Sequence, residues 1–240
     1  MSARHIQITR DAADLAWTAA SEFIRIGREA IAERGTFHVA LSGGGTPIPM
    51  YALLALPEWR TRLAWDKVHI YWGDERCVPP DASSSNYGTA KNALLERLDL
   101  PAANIHRIHG ELPPEEGAEH YVRVVGGVIF DLILLGMGDD GHTASLFPGS
   151  PLLFEAARLV APVYVEHLNS WRVTLTPPAI NAGKVVMFLV SGVGKAERLY
   201  EVLYGEDAPE RLPAQLIKAG RVIWLVDQEA AGKLPIESPP

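Results

Sequence analysis

The chain has 240 residues, 48% hydrophobic and 21% charged, with a formal net charge of −7. That length gives an ample core to one α/β domain or two closely packed lobes, and we read residues 1–240 as a single domain. The acidic balance, with no block of Lys or Arg, argues against a nucleic-acid partner and requires any anionic ligand to meet local cations in its pocket.

The first predicted element is a helix over about 11–34. Leu15, Ala19, Phe23, Ile26 and Ala30 fall on one face, Asp11 can cap the start and Gly35 can end it. Short apolar runs follow at Phe37–Leu41, Val68–Trp72, Asp131–Leu135, Arg172–Leu175, Val185–Val190 and Arg221–Val226. Several lack polar alternation, as strands buried on both faces of a parallel sheet do. Helical patterns lie between many of them, at Met50–Leu56, Tyr87–Leu98, Glu115–Val125 and Lys195–Leu203. Strands alternating with helices predict a three-layer, doubly wound, mostly parallel α/β fold. Pro79-Pro80, Pro113-Pro114 and Pro177-Pro178 read as loop markers, and the tail Ser238-Pro239-Pro240 is expected to fray. Cys77 is the only cysteine, which excludes an intrachain disulfide framework and suits a reducing cytoplasm. There is no signal-peptide pattern, and no window approaches the roughly 20 apolar residues of a membrane span. The expected location is therefore cytoplasmic, with no membrane partner.

Four motifs carry chemistry, each at the end of a predicted strand. Ser42-Gly43-Gly44-Gly45-Thr46-Pro47 follows the first run and opens a helix. Its glycines let backbone N–H groups approach an anion, and Ser42 and Thr46 can add hydroxyl donors. No Gly-Lys-Ser/Thr follows, so it is not a P-loop, and its plain alternative is a tight strand–helix turn. Asp74-Glu75-Arg76 reads either as a solvated charge run or as the wall of a ligand crevice, with Arg76 attracting a phosphate or developing oxyanion.

Gly136-Met137-Gly138-Asp139-Asp140-Gly141-His142 closes the third run. It matches G-x-G-x-x-G, yet a pyrophosphate there would meet two carboxylates, and the acidic residue expected about 20 positions later is missing. The better reading is catalytic, with His142 a general base beside carboxylates. Among the other histidines, His38 and His69 read as packed residues, and His106 and His109 as a solvated or packed pair without enough ligands for a metal. Lys195, in Gly192-Val193-Gly194-Lys195, starts a helix, where the dipole disfavours it unless the two share one bound anion.

Taken together, LSGGGTP at 41–47, WGDERCVP at 72–79, SNYGTAKNALL at 85–95, DLILLGMGDDGHTASLFPG at 131–149, RVTLTPPAIN at 172–181 and FLVSGVGKAERL at 188–199 resemble the 6-phosphogluconolactonase family. RVIWLVDQEAA at 221–231 also fits, so the resemblance spans nearly the whole chain. The related glucosamine-6-phosphate deaminases continue from the Asp-Gly-His turn into an Asn-Glu-Pro segment. Here the continuation is Thr143-Ala144-Ser145-Leu146-Phe147-Pro148, without a carboxylate. Sugar-phosphate-sensing regulators of the same kinship carry an N-terminal DNA-binding module, for which the early start of the sheet leaves no room.

The resemblance implies hydrolysis of 6-phospho-D-glucono-1,5-lactone to 6-phospho-D-gluconate in the oxidative pentose phosphate pathway, with neither cofactor nor metal. His142 is then the general base, with Asp140 or Asp74 orienting it; the sequence leaves open which. Arg76 stabilises the oxyanion or holds substrate, and Ser42, Gly43, Gly44, Thr46, Arg172 and Lys195 hold the phosphate. A Ser145 nucleophile is a rival mechanism, but no G-x-S-x-G elbow surrounds it. A deaminase-like isomerase, a non-catalytic sugar-phosphate sensor and, last, a dinucleotide-dependent enzyme are the competing functions. A monomer or small homo-oligomer is expected.

Overall fold

In the computed structural model, which describes residues 3–235, the first predicted helix is α1 (Ala12–Arg34) and its ends have the predicted chemistry. The Asp11 carboxylate accepts from the Asp14 backbone N–H at 2.8 Å, and Gly35 closes the helix in the left-handed region at φ 81°. Such an N-cap is worth about 1 kcal/mol.

The chain then alternates as predicted. Its strands are β1 (Ala3–Thr9), β2 (Phe37–Leu41), β3 (Val68–Trp72), β4 (Asp74–Arg76), β5 (Leu132–Gly136), β6 (Val160–Val165), β7 (Ser170–Leu175), β8 (Val185–Val190) and β9 (Arg221–Asp227). The remaining helices are α2 (Ile48–Leu54), α3 (Pro57–Arg60), α4 (Asn86–Ala93), α5 (Pro114–Val125), α6 (Pro177–Asn181) and α7 (Ala196–Tyr204). Six strands form a parallel sheet in the order β1-β9-β8-β5-β2-β3. Residues 132–135 of β5 and 186–190 of β8 are buried, which explains the absence of polar alternation in both. Phe188 and Trp224 stack at 3.8 Å between β8 and β9.

Four features differ from expectation. The run Arg172–Leu175 is not part of the parallel sheet; it lies in β7, the middle of a separate antiparallel sheet ordered β4-β7-β6. β6 was masked in the sequence by Pro162, which an edge strand tolerates because it needs only one ladder. β1 lies outside the expected strands, which are the uninterrupted apolar runs; it is an edge of the six-stranded sheet, and its Ile8 is 54% exposed. Finally, Pro114 and Pro177 open α5 and α6 rather than loops, using the helix position whose N–H has no intrahelical partner. The expected fraying at Ser238-Pro239-Pro240 lies outside the described residues.

Parallel register places His38 of β2 beside His69 of β3, and the connection after β3 adds His106. The rings stack at 4.7 Å (His38–His69) and 5.4 Å (His69–His106), with Tyr71 at 4.4 Å from His106. His106 thus packs on His69, while His109 faces His120 at 4.4 Å. Burial first, then the neighbouring imidazoles, hold His38 and His106 below the usual histidine range; burial alone does so for His69. A base with a depressed folded pKa binds more protons when unfolded. Stability is then fully present above the unfolded value of about 6.5 and lost as pH falls from there through the folded values. Thermal denaturation between pH 7.5 and 5 is expected to show a falling Tm, with a flatter dependence in His69→Gln; equal slopes would remove the stack as the cause.

Candidate active site

From β2 the chain runs outward to the edge strand β3, then returns as β5 on the other side of β2. Between β2 and β5 the winding reverses, and the crevice beyond the strands' C-terminal ends is where such sheets bind ligands. A cleft of about 220 Å³ opens there. It is lined by Ser42, Gly43, Gly44, Thr46, Asp74, Arg76, His142, Arg172 and Lys195. Each was singled out in the sequence; Asp140, the remaining candidate, stands behind His142.

The turn after β5 is built around the imidazole. Gly138 N–H donates to the His142 carbonyl at 2.8 Å, and Gly141 N–H donates back to the Gly138 carbonyl at 3.1 Å. Asp140 Oδ1 accepts from the His142 backbone N–H at 3.0 Å and lies 2.6 Å from Nδ1. Burial pushes the Asp140 carboxyl up, but the His142 N–H and ring outweigh it and hold it below the usual carboxylate range. An ionised carboxylate only accepts, so Nδ1 carries the hydrogen, and in the neutral ring the lone pair is then on Nε2. Nε2 makes no hydrogen bond among the described residues. The Phe147 ring stacks on the imidazole at 4.1 Å.

Of the two candidate carboxylates, it is Asp140 that hydrogen-bonds the imidazole in the structure. Asp74 does not pair with His142. It is 7% exposed, accepts from Ser145 Oγ at 2.6 Å and Asn86 Nδ2 at 3.2 Å, and lies 4.0 Å from Arg172 Nη1. Ser145 is fully buried, and its hydroxyl proton faces a carboxylate rather than a histidine, which is no arrangement for a nucleophile. Glu75, unlike Asp74, does not line the cleft. It accepts from the backbone N–H groups of Arg76, Asn86 and Tyr87 and from Ser85 Oγ, at 2.7–3.0 Å, anchoring the start of α4. Burial pushes its carboxyl up against these four donors.

Arg76 and Arg172 are register partners across β4 and β7. Like charges opposite each other destabilise a sheet. Each guanidinium also keeps a buried Nε without a hydrogen-bond partner among the described residues. Two facing cations with spare donors, with Asp74 4.0 Å from Arg172 Nη1, suit an anionic ligand. Burial pulls the Arg172 pKa down, and Asp74 opposes that.

The glycine loop after β2 is pinned from below. The Tyr51 hydroxyl accepts from the Ser42 N–H at 3.1 Å and donates to the Ser42 carbonyl at 2.7 Å. Tyr121 does the same for Trp72 at the end of β3, at 2.9 Å in both directions. A Cβ on Gly43 would fall 1.8 Å from Asn86 Oδ1, so glycine here permits close packing on α4. The helix that follows the loop, α2, is only seven residues long. At the far wall, Asp227 accepts from Gly192 N–H at 3.1 Å and Ala230 N–H at 2.8 Å, fixing the loop that carries Lys195. Lys195 Nζ lies 2.5 Å from Asp139 Oδ1.

The dinucleotide reading of Gly136-x-Gly138-x-x-Gly141 does not fit this turn. Residues 137–150 form turns with no helix to receive a pyrophosphate. Gly138 is needed for another reason: a Cβ there would sit 2.1 Å from His142 Nδ1. Among the described residues, no group of three or more His, Cys, Asp or Glu side chains is placed to hold a metal ion. No helix among them is long and apolar enough to cross a membrane. The sequence reading missed Asn86, Phe147, Tyr51, Tyr121 and Asp227. Asn86 and Phe147 lay inside conspicuous blocks, but nothing local marked the two tyrosines or Asp227.

The family described as glucosamine-6-phosphate isomerases/6-phosphogluconolactonase matches residues 10–224. A 6-phosphogluconolactonase of Synechocystis sp. is 44% identical over 217 residues, covering 86% of this chain and 88% of the relative. The solved 6-phosphogluconolactonase of Thermotoga maritima superposes with a TM-score of 0.83 at 31% identity, over 94% of this chain and 100% of that one. A monomeric glucosamine-6-phosphate deaminase superposes with a TM-score of 0.84 at 21% identity, over 95% of this chain and 99% of that one, a likeness of fold alone.

Proposed function

The chain belongs to the glucosamine-6-phosphate isomerase/6-phosphogluconolactonase family, on its lactonase branch, and we propose that it hydrolyses 6-phospho-D-glucono-1,5-lactone with His142 as general base. The observation that carries this reading is the imidazole itself: Nδ1 is held by Asp140, and Nε2 is left free in a cleft lined by cations.

His142 Nε2 takes a proton from water as the water oxygen attacks the ring carbonyl carbon. Asp140 stabilises the imidazolium that forms, as the carboxylate of a triad does. The tetrahedral oxyanion meets Arg76. Its collapse breaks the bond from the carbonyl carbon to the ring oxygen. The imidazolium returns its proton to that oxygen, and the carboxylic acid ionises to 6-phospho-D-gluconate. Ser42, Gly43, Gly44, Thr46, Arg172 and Lys195 hold the 6-phosphate, which fixes the carbonyl against the water and lowers the entropic part of the barrier. This is the hydrolytic step of the oxidative pentose phosphate pathway. Thr143 to Pro148 contains no carboxylate to serve a deaminase's acid–base chemistry.

A coupled assay tests the proposal. Glucose 6-phosphate is oxidised in situ to fresh lactone, and 6-phosphogluconate formation is followed with and without the protein. Acceleration above spontaneous ring opening is the expected result; a folded protein that gives none would overturn the proposal.

A further inference from the structure

Every cation in the cleft has a use in the proposed reaction, but Lys195 is already engaged. Its ammonium lies 2.5 Å from the Asp139 carboxylate, and the two side chains differ in surroundings: Lys195 is 24% exposed and lines the cleft, whereas Asp139 is 84% exposed and does not line it. The carboxylate is not free to swing away with its backbone. Arg198, on α7, donates its Nε–H to the Asp139 carbonyl at 2.9 Å, tying the turn after β5 to the helix that Lys195 begins.

Asp139 also contributes nothing visible to the catalytic pair. His142 is oriented by Asp140, and the turn is closed by the Gly138 and Gly141 backbone. A negative charge at the rim of an anion site, on a chain of net charge −7, opposes the ligand unless it has another role.

We infer that Asp139 is an affinity-setting residue: its carboxylate competes with the substrate's phosphate for Lys195 and weakens substrate and product binding together. The inference rests on the proposed function for its assignment of Lys195 to the phosphate. Substrate and product carry the same phosphate, so the competition is uniform binding seen from the opposite side. It raises KM and the product inhibition constant without touching the chemical step. A dianionic phosphate outbids one carboxylate for Lys195, while a ligand without a phosphate leaves the ion pair intact. On departure of product, Asp139 takes Lys195 back.

The test is a double-mutant cycle on Asp139→Asn, Lys195→Ala and the double variant. Binding of inorganic phosphate and of 6-phosphogluconate is followed by calorimetry, and KM and kcat by the coupled assay. Asp139→Asn keeps the side-chain shape and the carbonyl held by Arg198. It is expected to tighten both ligands and lower KM by about threefold to tenfold, in the range of an exposed ion pair plus relief of local repulsion, with kcat not raised. The double variant is expected to match Lys195→Ala, since the gain acts through the ammonium. Unchanged or weaker phosphate binding in Asp139→Asn would overturn the inference. So would a full gain that persists without Lys195, because that is bulk charge removal. If Lys195→Ala instead binds phosphate as wild type does, the phosphate role of Lys195 itself fails, an outcome visible without reference to Asp139.

Discussion

His142→Ala is expected to lower kcat by about 10²–10⁴-fold, the range for loss of a general base. The magnitude follows from the position of the ring. Nδ1 is 2.6 Å from Asp140 Oδ1, and no other imidazole among the described residues lines the cleft. The change removes both the base and the cation that Asp140 stabilises, and leaves the arginine pair and the glycine loop in place. KM is therefore expected to move little, because the phosphate and its partners are untouched. The coupled assay, with spontaneous opening subtracted, reads both parameters, and circular dichroism confirms that the variant is folded. Near-normal turnover in a folded His142→Ala protein would transfer the base role to another group.

Gly138→Ala is expected to come close to the same loss without removing a functional group. A Cβ at this position would lie 2.1 Å from His142 Nδ1, 2.2 Å from its Cε1 and 2.7 Å from Asp140 Oδ1. The backbone cannot readily retreat, because the Gly138 N–H and carbonyl are both committed within the turn. The imidazole must turn away, and with it the bond to Asp140. A drop in kcat of about 10²-fold is expected, since misplacing a catalytic group by about 1 Å has that effect. Overpacking of this kind also lowers stability by about 1–3 kcal/mol. Gly220→Ala is the internal control: its added Cβ would meet the Lys184 carbonyl oxygen at 3.8 Å, an ordinary contact, and Gly220 is not among the residues that line the cleft, so kcat is expected to stay near wild type. A fully active Gly138→Ala enzyme would mean that the imidazole works from a different position.

These expectations explain why the same seven residues, Gly136 to His142, support two sequence readings. The spacing of glycines matches a dinucleotide fingerprint, but spacing says nothing about what fills the room a glycine leaves. At Gly138 that room holds the edge of a histidine ring, and at Gly43 it holds the Asn86 amide.

Much of the protein is legible in the sequence alone. Apolar runs without polar alternation identified the buried strands, and caps at Asp11 and Gly35 bounded α1, because burial on two faces and helix termination impose local residue choices. Glycines and charges at strand ends point to many of the residues that line the cleft, Asn86 excepted, because an open α/β sheet presents its ligands there. The pairings within the cleft belonged to tertiary structure. That Asp140 rather than Asp74 holds His142, that Arg76 faces Arg172, and that Lys195 is claimed by Asp139 all depend on distances a few ångströms apart. Asp74 is 71 residues from Ser145, and Arg172 is 96 residues from Arg76. The antiparallel placement of β7 brings these charges together. Residue type and local period decide which element forms, whereas the partner of a charge is chosen by how the elements pack.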